Sequence, residues 1–211
     1  MRKARCSPDD LNAAQDALLL AERLYLSNLD IPMRRVLGEF ALWVPTRNPQ
    51  LATYFPESLH YTTFGIFEMA VRYWSCRILI IGLCRALGKM RLIFPAVMPE
   101  ELLDAEEVQG ASLILMSTQF AENASIPLSL GTFLMGLPLQ LAFGTWWRFT
   151  KRHETASAKA QFLKAWCHEK SNEMVRAWRG EERTENRLEG QTSALEGGPL
   201  MSWMRMEVGA E

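Results

Sequence analysis

Cysteine, histidine and charge of one sign are all scarce in this 211-residue chain, and each shortage removes a class of function. The four cysteines, Cys6, Cys76, Cys84 and Cys167, lie far apart with no Cys-x-x-Cys pair among them. That spacing favours reduced thiols buried in apolar helices over a disulfide framework. Lys and Arg number 23 against 24 Asp and Glu, a net charge of −1, and no basic face of the kind a duplex-binding domain needs is visible. Direct nucleic-acid binding is not expected. The short basic cluster Arg2, Lys3 and Arg5 reads as a solvated terminus, and Ser7, Pro8, Asp9 and Asp10 follow it where a signal peptide would turn apolar, so an intracellular chain is expected. Asn123, Ala124 and Ser125 match a glycosylation acceptor that has no secretory context to use it.

Chemistry-bearing motifs are scarce too. No Gly-rich phosphate loop of the GxGxxG or GxxxxGK[ST] kind occurs, and no GxSxG nucleophile elbow. His153 and Glu154 begin like a zinc-protease helix, but Ser157 stands where the second histidine ligand belongs. Cys167 and His168 are neighbours, which on a helix turns their side chains about 100° apart and out of reach of one another. Cys76 and Cys84 are separated by two helical turns, too far for one metal. His60 reads as a loop residue with a polar contact. The acidic run Glu100-Glu101-Leu102-Leu103-Asp104-Ala105-Glu106-Glu107 places paired carboxylates on a first helical turn, and a solvated face is the expectation because no histidine or second acidic motif converges on it. Neither a catalytic residue, a metal ligand nor a cofactor-binding residue is assigned, and no cofactor is expected.

What the chain does have is apolar helix. Between Phe64 and Leu87 the only charges are Glu68, Arg72, Arg77 and Arg85, and Phe67, Val71, Trp74, Ile78 and Ile81 recur at four and three. A second stripe of Met69, Tyr73, Cys76, Ile80 and Leu83 makes most of the circumference apolar, which places this helix inside a bundle. Ser7 and Pro8 start an earlier helix running to about Ser27, with Leu11, Ala14, Leu18, Ala21 and Tyr25 on its buried face. A shorter helix is expected from Asp30 to about Val44, ended by Pro45, Asn48 and Pro49, and a loop then leads through Phe55, Pro56 and Glu57. Pro99 restarts a helix that continues to about Glu122.

Asn123 to Trp147 carries no charge, yet Pro127, Pro138, Gly131, Gly136 and Gly144 divide it into pieces shorter than the ~20 residues a membrane span needs. A turn-rich segment followed by a buried helix from Pro138 is expected, not a span. Ala156 to Arg179 gathers Phe162, Leu163, Trp166, Cys167, Met174, Ala177 and Trp178 on one half of a helical wheel, interrupted by Lys170. Beyond Gly180 the composition turns polar, so a disordered tail ending in the apolar Leu200, Met201, Trp203, Met204 and Met206 is expected. No sustained strand alternation and no repeat is present. The fold expected is all-α: one irregular helical bundle over 1–179 around a central buried helix, with a mostly disordered tail over 180–211. At this length a single domain buries roughly 70% of its unfolded surface, enough for a real core.

The loop residues Tyr54, Phe55, Pro56, Leu59 and Tyr61, followed by Phe64, Ala70, Tyr73, Trp74, Arg77, Ile78 and Leu79, resemble the C-terminal regulatory region of fungal transcription factors of the zinc binuclear-cluster type. Glu122, Ile126, Gly131, Pro138, Leu139, Ala142 and Trp146 are similar to a later block of that family, and the resemblance spans about Leu11 to Trp178. It implies an all-helical regulatory domain in the nucleus, or alternatively the cytoplasm, controlling activity through effector or partner contacts, quite in keeping with a secondary-metabolite gene cluster. The departure is the missing six-cysteine cluster, without which these residues hold no DNA-reading module. The partner implied is then a full-length zinc-cluster factor or a second copy of the chain, with Trp178, Trp203, Met204 and Met206 as the contact surface. Trp74, Phe133, Trp146 and Trp147 are the candidates for an effector pocket, and equally for ordinary core. The competing class is a helical metabolite-binding protein or biosynthetic enzyme, and a third is a membrane-associated protein using Asn123 to Trp147.

Overall fold

A computed structural model describes residues 8–27, 30–88, 99–123, 128–152, 157–179, 188 and 190. Among the described residues the architecture is helical with one small two-stranded sheet. Helix α1 (Pro8–Leu26) and α2 (Asp30–Phe40) lead into strand β1 (Ala41–Pro45), a short α3 (Pro49–Ala52) and strand β2 (Glu57–Tyr61). Then follow α4 (Phe64–Gly88), α5 (Glu100–Met116), α6 (Thr118–Asn123), α7 (Leu128–Arg152) and α8 (Ala158–Arg179).

The first stripe of α4 is the centre of the bundle. Phe67, Val71, Trp74, Ile78 and Ile81 are all buried, against α1, α5 and α7. The second stripe fares differently: Met69, Cys76 and Leu83 are exposed, and Tyr73 and Ile80 are half-covered. α4 is therefore core on one side and surface on the other, and Cys76 departs from the buried-thiol expectation while Cys84 and Cys167 meet it. The main core joins α4 to Ala111, Ile114 and Leu115 of α5, Met135, Leu139, Phe143 and Trp146 of α7, and Leu163 and Cys167 of α8. A smaller cluster of Tyr25, Ile81 and Leu103 seals α1 onto α4 and α5.

The hairpin corrects the expected helix from Asp30 to Val44 and the loop after it. β1 and β2 run antiparallel, with Ala41 opposite Tyr61, Trp43 opposite Leu59 and Pro45 opposite Glu57. At five residues each, the strands are too short to show alternation, and a two-stranded sheet is marginal unless packed on something. β2 supplies that packing: Ser58, Leu59 and Tyr61 are buried, and the Tyr61 hydroxyl lies 2.7 Å from Ser117 Oγ at the end of α5. Pro45 costs no ladder bond because it ends an edge strand. Asn48 caps α3, its Oδ1 accepting from Gln50 N at 3.0 Å and Leu51 N at 2.9 Å.

Two further expectations shift. The helix from Pro99 stops at Met116, because Ser117 and Thr118 turn their hydroxyls back to the carbonyls of Leu113 and Leu115, and α6 starts afresh. α7 begins ten residues earlier than Pro138 and passes through it. A mid-helix proline costs about 3 kcal/mol in lost bonding and ring clash, but Met135, Leu139, Leu141, Ala142 and Phe143 are fully buried around it, and each buried large side chain contributes roughly 1.5–3 kcal/mol. Gly131 is required by the crossing with α6, since a Cβ there would stand 2.7 Å from the Ala121 carbonyl oxygen. Among the described residues no helix is long and apolar enough to cross a membrane.

On α8, Leu163, Trp166 and Cys167 are buried as the wheel predicts. Lys170, which interrupts that face, is tied at 2.5 Å to Glu122 of α6 and at 2.7 Å to Glu173. Burial alone would lower its ammonium pKa, but the hydrogen bonds to those two carboxylates outweigh it and the pKa is raised. Within 180–211, expected to be a mostly disordered tail, Leu188 is described, and it is fully buried in the main core.

Candidate functional site: a cavity between α2, α4 and α5

A cavity of about 220 Å³ opens where α2 lies across α4 and α5. Helical spacing builds its walls: Met33, Arg34 and Leu37 from α2, Tyr73, Trp74 and Arg77 from α4, and Glu106, Gln109, Gly110 and Leu113 from α5. The α5 set at i, i+3, i+4 and i+7 is one helical face, and its small member, Gly110, lies against Ile78 and the Trp74 carbonyl of α4. Most of the wall is apolar, with a few polar groups at fixed places, the usual make-up of a small-molecule site.

Arg77 fixes the floor. Its Nη1 donates to the Tyr25 carbonyl at 2.7 Å, its Nη2 to Glu106 Oε2 at 2.5 Å, and its guanidinium carbon lies 4.3 Å from the Tyr25 ring centre. One side chain thus satisfies an end carbonyl of α1, neutralises Glu106 and stacks on an aromatic face. Arg34, by contrast, is exposed on α2 and forms no ion pair among the described residues. Among the described residues, Arg34 is thus the cavity-lining cation without an ion pair.

Two turns beyond Arg77 on α4, where that helix faces α5 and α7, lies a second polar cluster that is more deeply buried. Glu107 is buried and receives Arg85 on one oxygen and Arg148 on the other, with Thr145 Oγ1 donating to it at 3.0 Å. Asp104 pairs with both Arg85 and Arg152, and Glu100 stands 3.8 Å from Arg152 at the rim. Burial, with the neighbouring Arg152 charge adding to it, pulls the Arg85 guanidinium down to about 10, while Asp104 opposes the shift. The cluster ties α4, α5 and α7 to one another through buried charged groups, which fixes the three helices in register. The expected solvated acidic face holds only for Glu100 and Glu101. Asp104, Glu106 and Glu107 are taken by arginines, a correction whose reason is long-range: Arg148 and Arg152 come from a helix about forty residues downstream.

The sequence candidates divide. Trp74 lines the cavity. Trp146 is buried in the main core and Trp147 packs against it half-buried, its ring 5.8 Å from Lys151 Nζ, and neither lines the cavity. The Phe133 and Trp178 side chains, and Trp203, Met204, Met206 and His153, lie outside the described residues. His60 sits on β2, not in a loop, and meets the Phe120 ring edge-on at 5.2 Å. Cys167 is fully buried, its thiol pushed up by burial, while His168 Nε2 is 3.2 Å from Asn172 Nδ2, so the two form no dyad. Among the described residues no group of three metal-ligating side chains comes together. Met33, Arg34, Leu37 and Gln109 carry no signal in the sequence, because only the packing of α2 and α5 on α4 brings them to one cavity.

No protein-family model, no curated protein and no solved structure matches the chain.

Proposed function

We propose that this chain is a helical regulatory domain that acts through effector or partner binding, similar to the regulatory region of fungal zinc-cluster transcription factors, and that does not itself read DNA. The observation that carries the reading is the cavity. Tyr73, Trp74 and Arg77, which bear the resemblance at Tyr-Trp and the following Arg-Ile-Leu, are also the three residues with which α4 walls it. A domain whose family-like residues surround a small apolar cavity, beside a core held by buried ion pairs, is suited to binding a signal and passing it on by contact. Near-neutral charge supports an indirect role in transcription, through a full-length zinc-cluster factor or a second copy of the chain. The setting proposed is the nucleus and the control of a secondary-metabolite gene cluster.

The test is a pull-down of the tagged chain from fungal nuclear extract with the bound proteins identified. Recovery of a zinc-cluster factor is the expected result. A chain excluded from nuclei that recovers no regulator overturns the reading, and a helical metabolite-binding protein or biosynthetic enzyme then accounts better for the same cavity.

A further inference from the structure

Resting on the effector-binding reading, we infer that the α2–α4–α5 cavity takes a small carboxylate built on a single aromatic or compact apolar ring. Size sets the first limit. A cavity of about 150 Å³ holds benzene, so 220 Å³ admits one ring with a short acidic arm and falls below the ~300 Å³ at which drug-sized sites begin. A nucleotide or a polycyclic ligand would extend beyond the walls these side chains supply. The walls set the second: Tyr73 and Trp74 offer aromatic surface, and Met33, Leu37 and Leu113 offer adaptable apolar surface, which together suit a ring.

Charge decides the sign of the ligand. Glu106 and Arg77 cancel one another at 2.5 Å, and Arg77 is further committed to Tyr25. A cationic ligand would have to take Glu106 from a mostly buried arginine, which leaves that arginine facing an apolar wall. An anion needs no such exchange, because Arg34 lies at the cavity with its guanidinium uncommitted among the described residues, and Gln109 adds an amide donor. A carboxylate matches the planar fork of Arg34 better than a spherical anion does, and the ring then points inward to Trp74.

The experiment uses the purified full chain with two probes, phenylacetate and its neutral isostere phenylacetamide, followed by saturation-transfer NMR and calorimetry. Phenylacetate is expected to bind in the millimolar range or tighter, and the amide roughly fivefold or more weakly, since one charge-assisted pair at a partly exposed site is lost. Arg34→Ala, a change on an exposed side chain, is expected to bring the acid down to the level of the amide without altering the melting temperature. Leu37→Trp is expected to fill the cavity and abolish both. The inference is overturned if neither probe binds, if the amide binds as well as the acid, or if Arg34→Ala leaves acid binding unchanged. No partner protein enters this assay, so a failed pull-down and a failed titration remain separate results.

Discussion

Replacing Glu107 by glutamine keeps the volume of the side chain and an acceptor for Thr145, and removes only the charge that Arg85 and Arg148 share. Both oxygens of Glu107 are in use and its side chain is 3% exposed, so water cannot replace what is lost. Asp104 still faces Arg85, but its other arginine, Arg152, already competes for it. Removing one member of a buried ion-pair network costs about 3–5 kcal/mol, because the remaining charges stay buried opposite a neutral group. For a domain of this size, each kcal/mol moves the melting temperature by about 2–4 °C, so Glu107→Gln should lower it by roughly 6–20 °C. Against a total stability of about 5–15 kcal/mol that is a large share. The assay is urea and thermal unfolding of Glu107→Gln beside Glu101→Gln, whose exposed carboxylate should change stability by less than about 0.5 kcal/mol. Substituting Glu107→Leu together with Arg148→Met should recover only part of the loss, since it removes the unpaired Arg148 charge but leaves buried Arg85 with Asp104 as its one ion-pair partner among the described residues. A loss below about 1 kcal/mol in Glu107→Gln would show that the cluster is solvated and refute the reasoning.

Gly131→Ala should destabilise by about 1–3 kcal/mol, as the new methyl meets the Ala121 carbonyl 2.7 Å away and α6 must shift from α7, whereas Gly136→Ala, which meets nothing nearby, should be neutral or stabilising; unfolding curves for the pair distinguish the two. Phe67→Ala, at a fully buried centre of α4, should cost about 3–5 kcal/mol, read from the urea midpoint. Thiol alkylation of the native chain, with peptides mapped, should modify Cys76 and spare Cys84 and Cys167. Burial, with Glu22 adding to it, pushes the Cys84 thiol up to about 11 from an ordinary 9.0. The unfolded thiol therefore ionises first, so stability is intact below about pH 9 and falls as pH rises towards about 11, by up to about 3 kcal/mol; Cys84→Ala should flatten that decline.

Local patterns carried most of the helices and none of the long-range polar contacts. The Phe67-to-Ile81 stripe is legible because burial on one face leaves a period near 3.6, and all five residues are in the core. The second α4 stripe was equally apolar but is half outside, since periodicity says which residues share a face and not whether that face is covered. The hairpin escaped because its pairing joins segments separated by α3 and is held by Tyr61 against Ser117, a tertiary contact. The continuity of α7 escaped because local proline chemistry was overridden by burial of Leu139 and Phe143. Arg77, Arg85 and Arg148 stand on otherwise apolar helices, and charges so placed demand partners. The acidic run on α5 nonetheless reads as a solvated face in the sequence, and only the fold joins it to these arginines. Of the cavity, only Trp74 was legible in the sequence.

The most direct test of the proposed regulatory role is the transcript profile of the organism that encodes this chain with its gene deleted, compared with one expressing it. The account predicts a coherent change confined to a limited gene set, a biosynthetic cluster in particular, that is restored on re-expression. An unchanged transcriptome, accompanied by a changed metabolite profile, would contradict it and transfer the cavity to a metabolite-binding or enzymatic role.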